Sequence, residues 1–92
     1  MITKKTTIIN KTGLHARPAS DFVTKAKEFS SDMTIQNLET KNPAVNAKSI
    51  LMLMGEGISS GMHVEISAEG TDEQAAVDAL VSIIESGFGE SD

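Results

Sequence analysis

Apolar residues in this sequence switch repeatedly between a period of two and a period of three to four. That alternation confines the chain to folds mixing strands with helices. Residues 2–9 are rich in Thr and Ile and predict a first strand, ended by Asn10-Lys11-Thr12-Gly13. Ala19, Phe22, Val23, Ala26 and Phe29 then recur at spacings of three and four, predicting a helix over about 16–29. Met33 to Leu38 reads as a second strand, and Lys41-Asn42-Pro43 turns the chain into a short third one around Ala44–Asn46. Ser49 followed by Ile50-Leu51-Met52-Leu53-Met54 and then Gly55-Glu56-Gly57 fits a two-turn helix, capped by serine and stopped by glycine. Met62, Val64, Ile66 and Ala68 alternate with His63, Glu65 and Ser67 in a fourth strand. Thr71-Asp72-Glu73-Gln74 has the form of a capping box, with Thr71 as the cap, opening a last helix to about Ser86 whose buried stripe is Ala76, Leu80, Ile83 and Ile84.

The order strand, helix, strand, strand, helix, strand, helix predicts an α+β open-faced sandwich: a four-stranded antiparallel sheet with three helices on one face. At 92 residues the chain supports one core, so residues 1–92 are expected to form a single domain. It has no cysteine, which removes disulfides, thiolate metal sites and thiol redox chemistry. Thirteen acids against eight bases give a net charge of -5. A nucleic-acid or anionic membrane partner would call for the opposite balance. The three aromatics are all Phe, too few for base stacking. The longest apolar run, Ile50 to Met54, is far short of a membrane span or a signal peptide, and the expectation is a soluble cytoplasmic protein.

The local rules break at Gly13-Leu14-His15-Ala16-Arg17-Pro18-Ala19-Ser20. Proline inside a helix costs roughly 3 kcal/mol, so the helix must begin close to Pro18. That puts the cap among Leu14 to Arg17, none of them a preferred capping residue; His15 is the expected one. A helix start without a side-chain acceptor leaves N–H groups outward at the positive end of the helix dipole, a place that attracts anions. Arg17 adds a forked cation suited to phosphate oxygens, and Pro18 biases Arg17 away from helical geometry. Imidazole is a nucleophile near neutral pH. Together these features describe a phosphohistidine site. His63, on the polar face of its strand, is read as inert.

This same stretch resembles the signature of HPr, the histidine-containing phosphocarrier family of the bacterial phosphoenolpyruvate-dependent sugar phosphotransferase system. The likeness runs over nearly the whole chain, in length and element order. It implies that His15 accepts a phosphoryl group on Nδ1 from phosphorylated enzyme I and passes it to the A component of a sugar-specific enzyme II. It implies that Arg17 flanks the phosphohistidine, and that the protein is a carrier without turnover of its own, needing no cofactor or metal. Ser49 resembles the regulatory serine of Gram-positive HPr, the substrate of HPr kinase/phosphorylase, which would also bring in a catabolite-control regulator. The family's docking surface falls here on Ala16, Ser20, Ile50, Leu51 and Met54, with Leu51 and Met54 as the expected main contacts, and either Ile50 or Leu53 turned inward. A monomer is expected.

The chain departs from the usual Gram-positive pattern after the serine: Met52 stands where glycine is common, Glu56 where leucine is common, and the hairpin around Asn42-Pro43 is a few residues longer. These differences bear on kinase recognition and partner choice rather than on His15. Within the family, the alternative is a carrier for a dedicated route, nitrogen regulation or a dihydroxyacetone kinase. Outside it, an acylphosphatase-like enzyme would need a Gly-rich phosphate loop after the first strand, which residues 8–20 do not supply. A binding module without phosphochemistry would require the match from Gly13 to Ala19 to be accidental.

Overall fold

Alternation puts Val64, Ile66 and Ala68 on one side of the strand His63–Glu69, and everything else in the fold is built on that side. In the computed structural model, which describes residues 1–89, the elements are β1 (Ile2–Thr7), α1 (Ala16–Ala26), β2 (Asp32–Asn37), β3 (Val45–Asn46), α2 (Ile50–Gly55), β4 (His63–Glu69) and α3 (Glu73–Glu85). A 3-10 turn over Gly87–Gly89 follows. The strands form one antiparallel sheet in the order β1-β4-β2-β3. This is the open-faced α+β sandwich expected from the period changes.

Register decides what faces the helices. Met33 lies opposite Ala68 and Ile35 opposite Ile66, so the inner sides of β2 and β4 form one apolar surface. Thr34, Gln36, Glu65 and Ser67 take the other, uncovered side. On the inner surface sit Ala19, Phe22, Val23 and Ala26 of α1, Leu53 of α2, and Ala76, Val77, Leu80, Val81 and Ile84 of α3. Phe22 is fully buried, and removing a side chain of that kind from water stabilises by about 1.5–3 kcal/mol. At the β1 edge Ile2 packs against the core, but the next two inward positions, Lys4 and Thr6, are polar, and α3 answers them. Lys4 Nζ lies 2.9 Å from Asp78 Oδ1, and Thr6 Oγ1 donates to Glu85 Oε2 at 3.3 Å. An inward-pointing charge of this kind discourages another strand from pairing with the β1 edge.

Four expectations are corrected. β1 ends at Thr7; the chain bends there, burying Ile8 and exposing Ile9, so strand alternation stops two residues early. α1 ends at Ala26 rather than 29, although Phe29 still packs against the core. The cap of α3 is Asp72 and not Thr71. Its carboxylate is committed elsewhere: Oδ1 accepts from the Ser31 N–H at 3.0 Å and from the Ser31 hydroxyl, and Oδ2 from the Ser30 N–H at 2.9 Å. The returning bond of the capping box is made one residue early, by Glu73 Oε1 to the Gly70 N–H at 3.1 Å. Finally, Ile83 is only partly buried, and the stripe of α3 is completed by Val77 and Val81. Among the described residues no helix is long and apolar enough to cross a membrane.

Candidate phosphoryl-acceptor site

The segment ahead of α1 is fixed before the helix begins. Asn10 and Gly13 close a turn in which the Gly13 N–H donates to the Asn10 carbonyl at 3.2 Å, while Asn10 Nδ2 donates to the Gly13 carbonyl at 2.8 Å. Gly13 has φ of +65°, a conformation that glycine adopts without steric cost. Leu14 is buried and donates its N–H to the Ile58 carbonyl at 2.9 Å. With Gly13 and Leu14 tied down, the next residue, His15, is delivered to the surface.

His15 is the N-cap of α1, with extended backbone (φ -83°, ψ -168°) and an exposed side chain that makes no capping hydrogen bond. Its carbonyl receives the first helical bond, from the Ala19 N–H at 2.8 Å. Among the described residues the N–H groups of Ala16 and Arg17 have no acceptor, and Pro18 has no N–H to offer. Pro18 is buried against the core, whereas Ala16, Arg17 and Ser20 are exposed. The result is an accessible imidazole beside two outward N–H donors, with a guanidinium two residues on. First-turn donors and the helix dipole favour an anion there. Arg17 supplies the charge-assisted bonds that a phosphate would use. The His15 ring is thus reachable without any capping bond having to break first.

α2 packs against α1. Ser49 is its N-cap and accepts the Met52 N–H on Oγ at 3.3 Å, as expected. Leu53 is the residue that turns inward; Ile50, Leu51, Met52 and Met54 are exposed, Leu51 to 83%. A helix of six residues has one inward position to fill, and its remaining apolar side chains stay in water. The helix runs to Gly55, its C-cap is Glu56, and Gly57 at φ +62° takes the left-handed position after it, the glycine stop expected within Gly55-Glu56-Gly57.

Residues 2–86 match the family model described as "PTS HPr component phosphorylation site". The phosphocarrier protein HPr of Borreliella burgdorferi is 45% identical over 86 residues, covering 94% of this chain and 96% of that protein. The chain belongs to the HPr family. A crystal structure of HPr from Thermoanaerobacter tengcongensis superposes with a TM-score of 0.92 at 50% identity, covering 99% of both chains. The chain also matches a longer relative, spanning 17% of the length of the multiphosphoryl transfer protein of Haemophilus influenzae at 39% identity.

Seen as a member of the HPr family, the chain carries its predicted site residues on two helices that pack against each other: His15, Ala16, Arg17 and Ser20 at the start of α1, and Ser49, Ile50, Leu51 and Met54 on α2. His63 stands apart, on the open side of the sheet opposite Thr7. It is engaged there rather than idle: Nδ1 lies 2.7 Å from Glu39 Oε2, which also accepts the His63 N–H at 3.1 Å. The hydrogen bond from the His63 ring is the main reason the Glu39 carboxyl is held below its ordinary value. Sequence reading missed this pair, and it took Asn10 only as part of the end of a strand. An Asn three residues before a Gly is the signature of the turn that it forms.

Proposed function

We propose that this chain is a phosphocarrier in which His15 accepts a phosphoryl group on Nδ1 from phosphorylated enzyme I and hands it to enzyme II A components. The N–P bond of the donor breaks as the N–P bond to His15 forms, and the same exchange runs forward to the acceptor. The observation that carries this reading is an exposed N-cap histidine that caps nothing, followed by the outward N–H groups of Ala16 and Arg17. Those donors and the Arg17 guanidinium stabilise the transferred group electrostatically in both directions. The site is open to in-line approach by large partners, which a carrier requires.

In this reading residues 1–92 act as one domain, as a monomer in the cytoplasm alongside the proteins that load and unload it. The exposed apolar side chains of α2, a helix packed against α1, are read as the docking surface for enzyme I and the enzyme II A components, with Leu51 and Met54 central and Ile50, Ala16 and Ser20 at its border. Ser49 is read as a regulatory site for HPr kinase/phosphorylase, through which a catabolite-control regulator would sense the carrier. Its half-buried hydroxyl caps α2 at the edge of the same surface, so a phosphate there changes recognition more than fold.

Onward transfer is the test. Phosphorylated chain, purified away from enzyme I, is mixed with an enzyme II A component, and movement of the label between the proteins is followed. Transfer supports the carrier of sugar uptake. Label that moves only to a dihydroxyacetone kinase subunit or a nitrogen-regulatory partner assigns the dedicated route instead.

A further inference from the structure

We infer that Asn10 is a positioning residue for phosphoryl transfer at His15, acting through the turn that precedes it; the inference rests on the carrier reading. Asn10 is a polar residue only 4% exposed, placed just after β1 and ahead of the acceptor. Its amide nitrogen donates to two points of the intervening loop, the Gly13 carbonyl at 2.8 Å and Thr12 Oγ1 at 3.2 Å. Its own carbonyl takes the Gly13 N–H at 3.2 Å. Both polar backbone groups of Gly13 therefore end on Asn10.

Gly13 is a glycine at positive φ, so its own backbone preference does little to hold the loop in this conformation, and its neighbours must. A rotation there would swing Leu14 and His15 together, carrying the imidazole away from the N–H groups of Ala16 and Arg17 that await the phosphate. The Asn10 side chain opposes that rotation from a buried site, where a hydrogen bond is not competed for by water. Docking, by contrast, is read onto α2, whereas the Asn10 bonds described above stay within the loop ahead of α1. Positioning and docking are thus separable, and loss of the Asn10 amide affects the transfer step and leaves association intact. Misplacement of a reacting group by about 1 Å is enough to cost on the order of a hundredfold in rate.

The experiment measures phosphoryl acceptance from phosphorylated enzyme I with this protein as the varied substrate, comparing the unaltered chain, Asn10→Ala and, as a stability control in the core of α3, Val77→Ala. The expected result is a kcat for Asn10→Ala lowered at least tenfold with KM within twofold, and both constants unchanged for folded Val77→Ala. Asn10→Ser, which leaves a small hydroxyl in the buried space, is the second variant if the alanine form does not fold, and the same split is expected. An unchanged kcat, a KM that rises in step, or an equal fall in Val77→Ala overturns the inference. Failure of the unaltered chain to take any phosphate defeats the carrier reading instead, and the two failures are distinguishable.

Discussion

Gly13 lies against the backbone of Ser59 so closely that a Cβ added to Gly13 would stand 2.7 Å from the Ser59 Cα and 2.8 Å from the Ile58 carbonyl oxygen. Both neighbours are main-chain atoms, which cannot rotate away, and the residue is also at positive φ. Gly13→Ala is therefore expected to destabilise the fold by about 2 kcal/mol or more, since left-handed backbone costs about 1–2 kcal/mol and overpacking about 1–3 kcal/mol. Urea unfolding gives the value; a midpoint equal to that of the unaltered chain would contradict the contact.

Asp72 ties the start of α3 to the loop after α1, and its carboxyl is lowered to about 2, mainly by the Ser31 hydroxyl and then by the Ser30 N–H. A carboxyl whose folded value is depressed adds stability above its unfolded value and loses it as pH falls through the folded one. The stabilising contribution of Asp72 is thus complete above about pH 5 and disappears towards pH 2. Asp72→Ala should lower the melting temperature at neutral pH, and the gap from the unaltered chain should narrow steadily on acidification. A gap independent of pH would show that the ionised carboxylate contributes nothing.

Leu51 and Leu53 are two residues apart on α2 and face opposite environments, one 83% exposed and the other fully buried. Leu53→Ala is expected to cost about 2–5 kcal/mol of stability. Leu51→Ser should stay within about 0.5 kcal/mol of the unaltered chain, yet raise the KM for enzyme I severalfold, as removal of a central apolar contact does. Calorimetry and acceptance kinetics on the same samples decide the matter; an unchanged KM for Leu51→Ser would move the docking surface elsewhere.

Ser49 Oγ satisfies the Met52 N–H, so Ser49→Ala should lose about 1 kcal/mol while Ser49→Asp, which keeps an acceptor at the cap, should not. If the aspartate also slows acceptance from enzyme I, the charge acts on recognition, since the fold is intact. Equal melting of all three forms would show that the cap is energetically silent.

Much of this was legible in the sequence because two periods dominate it. Val64, Ile66 and Ala68 alternate, and Ala19, Phe22, Val23 and Ala26 recur at helical spacing, so the faces of β4 and α1 could be read before any coordinate. The exposed His15 could be read as well, because Pro18 fixes where α1 begins and no preferred cap is available. What escaped depends on contacts between residues distant in sequence. Asp72 forgoes capping with its side chain because Ser30 and Ser31, some forty residues earlier, hold its carboxylate. Glu39 finds His63 across the mouth of the sheet, and a sequence window sees neither partner of such a pair. Lys4 and Thr6 occupy inward strand positions that a period-two reading reserves for apolar residues, and only their meeting with Asp78 and Glu85 on α3 explains them.

Everything functional here rests on a histidine that the fold presents without employing. Incubation with phosphoenolpyruvate and enzyme I, followed by phosphate analysis, measures this directly on the unaltered chain and on His15→Ala. The account predicts an acid-labile, base-stable phosphate on the former and none on the latter, with His63 still present in both. A phosphate that survives in His15→Ala, or an unaltered chain that takes up none, would contradict it.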